Sequence, residues 1–398
     1  MLKNTLLKTS SFLYRAHYKA YTLVNRYLQD DANNKDFIPY RVKNSFSSSK
    51  VKIIHVNGNF SIGGSTQLII DIIENLSDLY AHEVIVPKIP QPLPYQPVAI
   101  REYSVSELQQ LRDYLEKERP AAVHIHYWVR MTDLYLETAI WYATIFRICE
   151  ELGIKVFQNV NVPTKPFPST SVVHNIFVSK FVSDNFSSDS ETPASVIYPG
   201  SNFEHFKNDN IGDLPINNIG MVYRLDTDKL NAEAIEVFIS VVKKQSNIQC
   251  YIIGAGYYFE YYNKRVAEEG LEKNFIFTGV VSYNALPEYY KKMSVFVAPV
   301  HDESFGQVTP FAMSMGLGVA GYNTGALSEI LGSTKYLVEY GRIESLADVI
   351  IDLVNDRRVL LEQGFENQKR AHANFSVESM VNQYRELYAT HIHIEHII

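Results

Sequence analysis

At 398 residues the chain is long enough for two or three domains, and its 46% hydrophobic and 20% charged content is a globular balance that excludes long disorder. Lys and Arg number 37 against 44 Asp and Glu, so the formal charge of -7 has the wrong sign for a protein that lives on nucleic acid. Cys149 and Cys250, the only cysteines, are too far apart for a disulfide framework or a cysteine zinc site, and no apolar run approaches the roughly 18 residues that spanning a bilayer requires; a reduced, cytoplasmic protein is expected.

The first 28 residues differ from the rest. Lys3, Lys8, Arg15, Lys19 and Arg26 stand there without a single acid, which leaves 32 basic against 44 acidic residues for the remainder. On a helix, Lys8, Arg15, Lys19 and Arg26 share one stripe, and Leu6, Leu13, Tyr14, Tyr21, Val24 and Leu28 cover the other side. A cationic face opposite an apolar, Tyr-rich one suits an anionic membrane surface. Peripheral contact with the inner membrane face is therefore expected; packing of the same helix on the protein's own body is the alternative. The segment lacks the unbroken apolar stretch of a signal peptide. Asp30 to Lys50, polar and carrying Ser47, Ser48 and Ser49, reads as a linker, so residues 1–50 form an N-terminal helix and linker.

From Val51 strands alternate with helices. Val51 to Val56 is a short apolar run ending at Asn57-Gly58 and followed by Gly63-Gly64; Ser65 to Leu79 has helical spacing of Leu68, Ile69, Ile72, Ile73 and Leu76. His82 to Ile89 reads as a strand running into an irregular or polyproline-like loop with Pro87, Pro90, Pro92, Pro94 and Pro97. A helix over Val105 to Lys117, a strand over Ala121 to Trp128 and a long helix over Thr132 to Leu152 follow. Ile154 to Val160, Val172 to Val178 and Ser195 to Tyr198 complete this half. Beyond Gly200, short strands are expected at Ile219 to Tyr223, Cys250 to Ile253, Phe275 to Thr278, Val295 to Ala298, Gly318 to Gly321 and Tyr336 to Val338, with helices such as Asn231 to Lys243 and Tyr258 to Glu268 between them. This alternation implies an α/β protein with parallel sheets covered on both faces. Two such domains, residues 51–200 and 201–375, form a cleft-bearing pair, followed by a C-terminal helix and tail over 376–398. Ligands of such folds sit at the carboxyl ends of the strands.

The residues with chemistry lie at those ends. In Pro299-Val-His-Asp-Glu303-Ser304-Phe305-Gly306-Gln307-Val308-Thr-Pro310 a strand gives way to a helix. Pro310 is comfortable only in a helix's first turn, so the helix starts near Val308. The backbone N–H groups of Gly306 to Val308 then form an anion site, with the Glu303 carboxylate at its lip to accept hydroxyl protons. Ser304 acting as a helix cap is the structural alternative.

This run resembles the Glu-containing motif of the group 1 family of retaining, nucleotide-sugar-dependent glycosyltransferases, which have the GT-B fold. Further segments are similar in the family's order: Gly63-Gly64 to its glycine loop; His124-Ile-His126-Tyr127-Trp128 to its His-x-His-Tyr-Trp variant; and Val196 to Gly200 with Phe206 to its domain-crossing turn. Tyr223-Arg224-Leu-Asp-Thr-Asp-Lys229 resembles its Gly-Arg-Leu…Lys segment, with the same five-residue step. Tyr289, Lys291, Pro299, Gly325 and Glu329 match weaker positions. The resemblance covers about residues 51 to 375, and its specificity lies in the collinear series.

The resemblance implies two Rossmann-like domains with parallel sheets facing a central cleft. It implies a nucleotide-diphosphate sugar donor and a saccharide or lipid-linked acceptor, with no cofactor and no metal. His126 and Glu303 would hold the transferred sugar. Gly63, Gly64, Arg224, Lys229, Ser304, Phe305, Gly306 and Gln307 would bind the donor, the leaving phosphate taking the acceptor proton. Arg224 and Lys229 also suit that task on chemical grounds, because two cations stabilise the negative charge that grows on a departing diphosphate; surface solvation is the plain alternative. His124 and His126, two apart on a strand, share one face. As a metal pair they lack a third ligand of evident spacing, and His124 is the better candidate for a satisfied core histidine. Gly254-Ala-Gly256-Tyr-Tyr-Phe259 lacks the third glycine of a dinucleotide fingerprint and resembles the family's turn lining the nucleotide base pocket. Tyr257, Tyr258, Tyr261 and Tyr262 read as helix packing rather than a stacking platform, and the tail His391, His393, Glu395 and His396 as a frayed end rather than a chance metal binder.

One position departs from the family. Its second Glu, eight residues after the first, accepts the ribose hydroxyls, and here that position is Phe311. An unpaired hydroxyl costs about 1 to 3 kcal/mol, so donor binding is altered or catalysis lost. The chain is read as a retaining hexosyltransferase of cell-surface glycan synthesis. A catalytically silent GT-B-like subunit that binds a nucleotide or sugar, or scaffolds glycan assembly, is the alternative; a sugar-nucleotide epimerase is the third reading.

Overall fold

The computed structural model describes residues 39–43, 46, 51–129, 136–187 and 191–392. The basic segment 1–28 and the tail residues His393, Glu395 and His396 lie outside the described residues. The chain divides into two compact units, one of Ile38–Gly200 with Val377–Ile398 and one containing Ser201–Ser376.

The first unit is built on a sheet of seven parallel strands: β1 (Lys52–Asn57), β2 (Ala81–Val86), β3 (Ile100–Glu102), β4 (Ala122–Tyr127), β5 (Val156–Val160), β6 (Val172–Phe177) and β7 (Ala194–Val196), in the spatial order β3-β2-β1-β4-β5-β6-β7. Helices α1 (Gly64–Leu76), α2 (Leu108–Glu118), α3 (Leu136–Leu152) and α4 (Lys180–Phe186) connect them. The strands are short and rich in β-branched residues, and both faces are buried, as a parallel sheet requires. Along β1, Ile54 and Val56 join Leu111, Leu115, Trp141, Tyr142 and Phe146 in one core. Ile53 of the opposite face joins Leu68, Ile72 and Leu76 of α1. With a side-chain period of two, His55 and Asn57 follow Ile53 on that face, and His124 and His126 follow Ala122 on β4. On this face β1 and β4 are thus apolar where they enter the core and polar toward their carboxyl ends.

Two short segments depart from the sequence expectation. Tyr40–Arg41, within the expected linker, pairs in parallel with Tyr95–Gln96, within the expected irregular loop. Val42 and Tyr95 are buried beside Phe60 and Ile73. The linker is therefore anchored at residues 40–42, because an apolar residue in its middle reaches the core.

The second unit carries six parallel strands: β8 (Asn218–Val222), β9 (Gln249–Ile253), β10 (Phe275–Gly279), β11 (Val295–Ala298), β12 (Gly318–Tyr322) and β13 (Leu337–Val338), in the order β10-β9-β8-β11-β12-β13. Its larger helices are α5 (Ala234–Lys244), α6 (Phe259–Glu268), α7 (Val308–Ser314), α8 (Ile343–Asn355) and α9 (Arg357–Asn374). Both sheets follow the 3-2-1-4-5-6 order of a dinucleotide-type Rossmann fold, the first extended by one strand, with the order reversing beside the first strand.

From Val377 the chain returns to the first unit as α10 (Val377–His391). Met380, Val381, Tyr384 and Tyr388 are buried against Ile53, Ala122 and Phe157. His391 is not frayed: its ring stacks on Phe157, with centroids 5.5 Å apart, and its carbonyl accepts a hydrogen bond from Lys155.

Candidate functional site

In the second unit the loops after β8, β9, β11 and β12 emerge at the same edge of the sheet, the carboxyl end. Helix α7 begins at Val308 with Pro310 in its first turn and no side-chain cap, so Ser304 is not the cap residue. Glu303, on the loop before it, is 1% exposed. Its Oε1 lies 2.5 Å from Lys229 Nζ, which comes from the loop after β8. Its Oε2 is buried without a hydrogen-bond partner. The backbone of this loop is held by its neighbours: His301 N donates to the Lys229 carbonyl, Thr324 Oγ1 to the Val300 carbonyl and Ala326 N to the Glu303 carbonyl.

Two glycines let the chain close around Glu303. Gly306 has φ 71° and Gly325 φ 54°, conformations in the left-handed region. A β-carbon on Gly306 would run into the Glu303 carboxylate, and one on Gly325 into the Glu303 backbone. Ser304, Phe305 and Gln307 are buried beside them.

Arg224 is placed differently from Lys229. Its side chain is 60% exposed, 2.8 Å from Asp228 and 3.7 Å from Asp226. The structure brings Lys229 to Glu303 and turns Arg224 toward the two acids of its own loop. Sequence spacing matched the cations to each other and missed these carboxylates, although Asp226 and Asp228 stand in the same run. Asp226 also ties the loop to the next one: its Oδ1 accepts from Tyr257 N, and a β-carbon on Gly256 would crowd it.

Tyr223 occupies the family's glycine position. Its ring is buried; burial and then the Glu303 carboxylate push the phenol's pKa far up, against a smaller opposing contribution from the neighbouring Thr309 hydroxyl, so it stays protonated. Phe311, at the position of the missing second Glu, stacks on Phe206 with centroids 3.9 Å apart and planes 4° from parallel. Tyr283 meets Phe311 edge-on at 6.0 Å. The substitution is filled by an aromatic stack.

In the first unit Gly63 is extended, α1 starts at Gly64 without a side-chain cap, and the space a Gly63 β-carbon would occupy is open. An uncapped amino terminus of a 13-residue helix presents N–H groups to an anion. Tyr142 bridges from there to β4: its hydroxyl accepts from Gly58 N at 2.7 Å and donates to the His126 carbonyl at 2.7 Å.

His124 and His126 are not an isolated pair. Parallel pairing of β1 with β4 sets His55 opposite His124, and His82 of β2 lies beyond. His55 Nδ1 is 3.2 Å from His126 Nε2, and His55 Nε2 is 3.0 Å from His82 Nδ1. His124 has both nitrogens engaged, with the Tyr388 hydroxyl at 2.7 Å and Asn159 Oδ1 at 3.2 Å. Burial drives all four histidines toward the neutral form. His82 falls to about 4 and His124 to about 3, and His55 and His126 lie well below the usual imidazole range. His55, His124 and His126 offer nitrogens within 4.8 Å of one another, so a third metal-capable residue is present where spacing alone revealed none. Metal capture there would cost the bonds to Tyr388, Asn159 or His82 that occupy those nitrogens.

Among the described residues no helix is long and apolar enough to cross a membrane. Residues 203–372 match the family model described as glycosyl transferases group 1. The capsular polysaccharide biosynthesis glycosyltransferase CapM of Staphylococcus aureus is 29% identical over 182 residues, 43% of this chain and 46% of that protein. The lipopolysaccharide core biosynthesis mannosyltransferase LpsB of Rhizobium meliloti is 28% identical over 129 residues, 31% of this chain and 36% of LpsB. The chain thus spans less than half the length of either relative. Among solved structures, sucrose-phosphate synthase of Thermosynechococcus elongatus superposes with a TM-score of 0.70 at 16% identity, covering 85% of this chain and 98% of that one. Anabaena HepE in complex with UDP and glucose gives 0.68 at 16% identity over 85% of this chain and all of HepE. The sheet order and these likenesses agree: the chain has the GT-B fold of two Rossmann-like domains, and its residues 203–372 are similar to the group 1 glycosyltransferases.

Proposed function

We propose that the protein is a retaining, metal-independent glycosyltransferase of polysaccharide biosynthesis, moving a hexose from a nucleotide-diphosphate sugar to a saccharide or lipid-linked acceptor. The observation that carries this reading is the divided carboxylate of Glu303. One oxygen fixes Lys229, and the other is buried and unmet. A buried acceptor left unpaired costs about 1 to 3 kcal/mol, which a sugar hydroxyl would recover. Lys229 then faces the diphosphate as its negative charge grows, and Arg224 joins it by exchanging the half-buried Asp228 for phosphate. Gly63 and Gly64 with α1, and Ser304 to Gln307, supply the remaining donor contacts, and His126 accepts from the sugar.

The names of the relatives support a role in surface glycans, and HepE crystallised with UDP and glucose supports a nucleotide-sugar donor. Contact of residues 1–28 with the inner membrane surface belongs to the same reading, since a lipid-linked acceptor lies there; liposome flotation with and without the segment tests it. Release of nucleoside diphosphate from uridine, guanosine and adenosine diphosphate sugars, with NMR of the product's anomeric proton, tests the reaction. Full turnover of every donor by Lys229→Ala and Arg224→Ala would overturn the reading. Phe311 favours the second reading, a silent GT-B protein that binds nucleotide or sugar, because its stack offers nothing to ribose. Calorimetric binding without transfer or hydrolysis would establish that one instead.

A further inference from the structure

His82, His55 and His126 form an unbroken row of buried rings, with contacts of 3.0 and 3.2 Å. Kept neutral by burial, three imidazoles carry three protons on six nitrogens. Each contact uses one proton and one lone pair. The two outer nitrogens, His82 Nε2 and His126 Nδ1, are left with one proton between them. One end is an N–H, the other is bare, and all three rings must change tautomer together.

The ends are not equivalent. Neither outer nitrogen has a partner in good hydrogen-bond geometry, but the Leu76 carbonyl attracts a proton at His82. Among the described residues no carbonyl comparably faces His126 Nδ1. Beside it, at the same end of the sheet, the register partner of His126 is Asn57, buried with both amide atoms unpaired. His124 stands outside the row, its nitrogens spent on Tyr388 and Asn159.

We infer that the row fixes His126 as the Nε2–H tautomer and presents its bare Nδ1 as a hydrogen-bond acceptor for a ligand hydroxyl, with His55 and His82 as positioning residues. A lone pair there welcomes a hydroxyl and repels phosphate or carboxylate oxygen, so this subsite takes the neutral, polyhydroxylated part of a ligand. That the hydroxyl is the donor sugar's rests on the proposed function; the tautomer does not.

The test uses the full chain labelled with 15N histidine, read by long-range proton–nitrogen NMR that separates protonated from bare ring nitrogens. Wild type is expected to show His126 with Nδ1 bare and Nε2 protonated. His55→Leu removes the acceptor for Nε2–H and should give mixed tautomers with at least a tenfold drop in kcat. His55→Gln, whose amide oxygen can accept from His126 and whose NH2 can donate to His82, should restore the wild-type pattern and part of kcat. KM for the donor should change less than kcat in both. Thermal melting of each variant identifies any that fails to fold, and the wild-type spectrum still decides in that case. A protonated His126 Nδ1 in wild type, an unchanged pattern in His55→Leu, or stoichiometric Zn2+ uptake that His55→Leu abolishes would overturn the inference. The expected spectra without sugar transfer would instead remove only the proposed function.

Discussion

Lys229 Nζ and Glu303 Oε1 meet at 2.5 Å, joining the loop after β8 to the loop after β11. The pair is asymmetric: Glu303 is 1% exposed, and Lys229 keeps 24% of its side-chain surface. Removing the cation strands a buried carboxylate, whereas removing the carboxylate's charge frees a lysine that can reach water.

Lys229→Met is therefore expected to destabilise the protein by about 3 kcal/mol, the low end for removing one partner of a buried pair, since Lys229 is itself partly exposed. Glu303→Gln should cost about 1 kcal/mol, and both should lose sugar transfer. Urea denaturation with an activity assay checks this; equal stability losses would show that the burial asymmetry has no energetic weight.

Gly306→Ala combines a left-handed backbone with a β-carbon pressed on the Glu303 carboxylate. The expected outcome is a loss of about 1 to 3 kcal/mol together with displacement of Glu303. Gly63→Ala, in extended backbone with open space, should leave the melting temperature within a degree or two.

Restoring the family's acid by Phe311→Glu should not restore a ribose contact. The carboxylate would enter the stack against Phe206, and an unpaired buried charge of this kind costs about 3 kcal/mol or more. Phe311→Leu should cost less and leave nucleotide affinity unchanged. Calorimetric titration with nucleoside diphosphates, beside thermal melting, distinguishes the cases; tighter binding by Phe311→Glu would contradict the packing argument.

Asp71 on α1 is buried, its Oδ1 accepting from Gln67 at 2.9 Å, and burial raises its pKa well above 3.8. The folded state holds this proton where the unfolded state releases it, so stability from Asp71 is present at low pH and lost as pH rises through the raised pKa. Asp71→Asn keeps the site neutral. It should melt above wild type at pH 8 and close to it near pH 4. His82 acts with the opposite sign: with a folded value of about 4 against 6.5, its neutral burial loses stability as pH falls below 6.5. The comparison of Asp71→Asn with wild type at each pH cancels that background.

The strand–helix alternation was legible in the residues themselves, because short β-branched runs and helical spacing are local patterns. So was the placement of Glu303 and Lys229 beside strand ends, which follows from where those runs stop. The residues gave no sign of what each side chain meets across the fold. His55 and His82 join His126 only because parallel register aligns three separate strands. Tyr384 and Tyr388 reach Asn159 and His124 only because α10 crosses back to the first unit, which a chain-order reading makes a tail. Arg224 meets Asp228 and Phe311 meets Phe206 for a like reason. Local periodicity selects elements, while register, docking and side-chain pairing depend on which surfaces complement one another once distant segments are brought together.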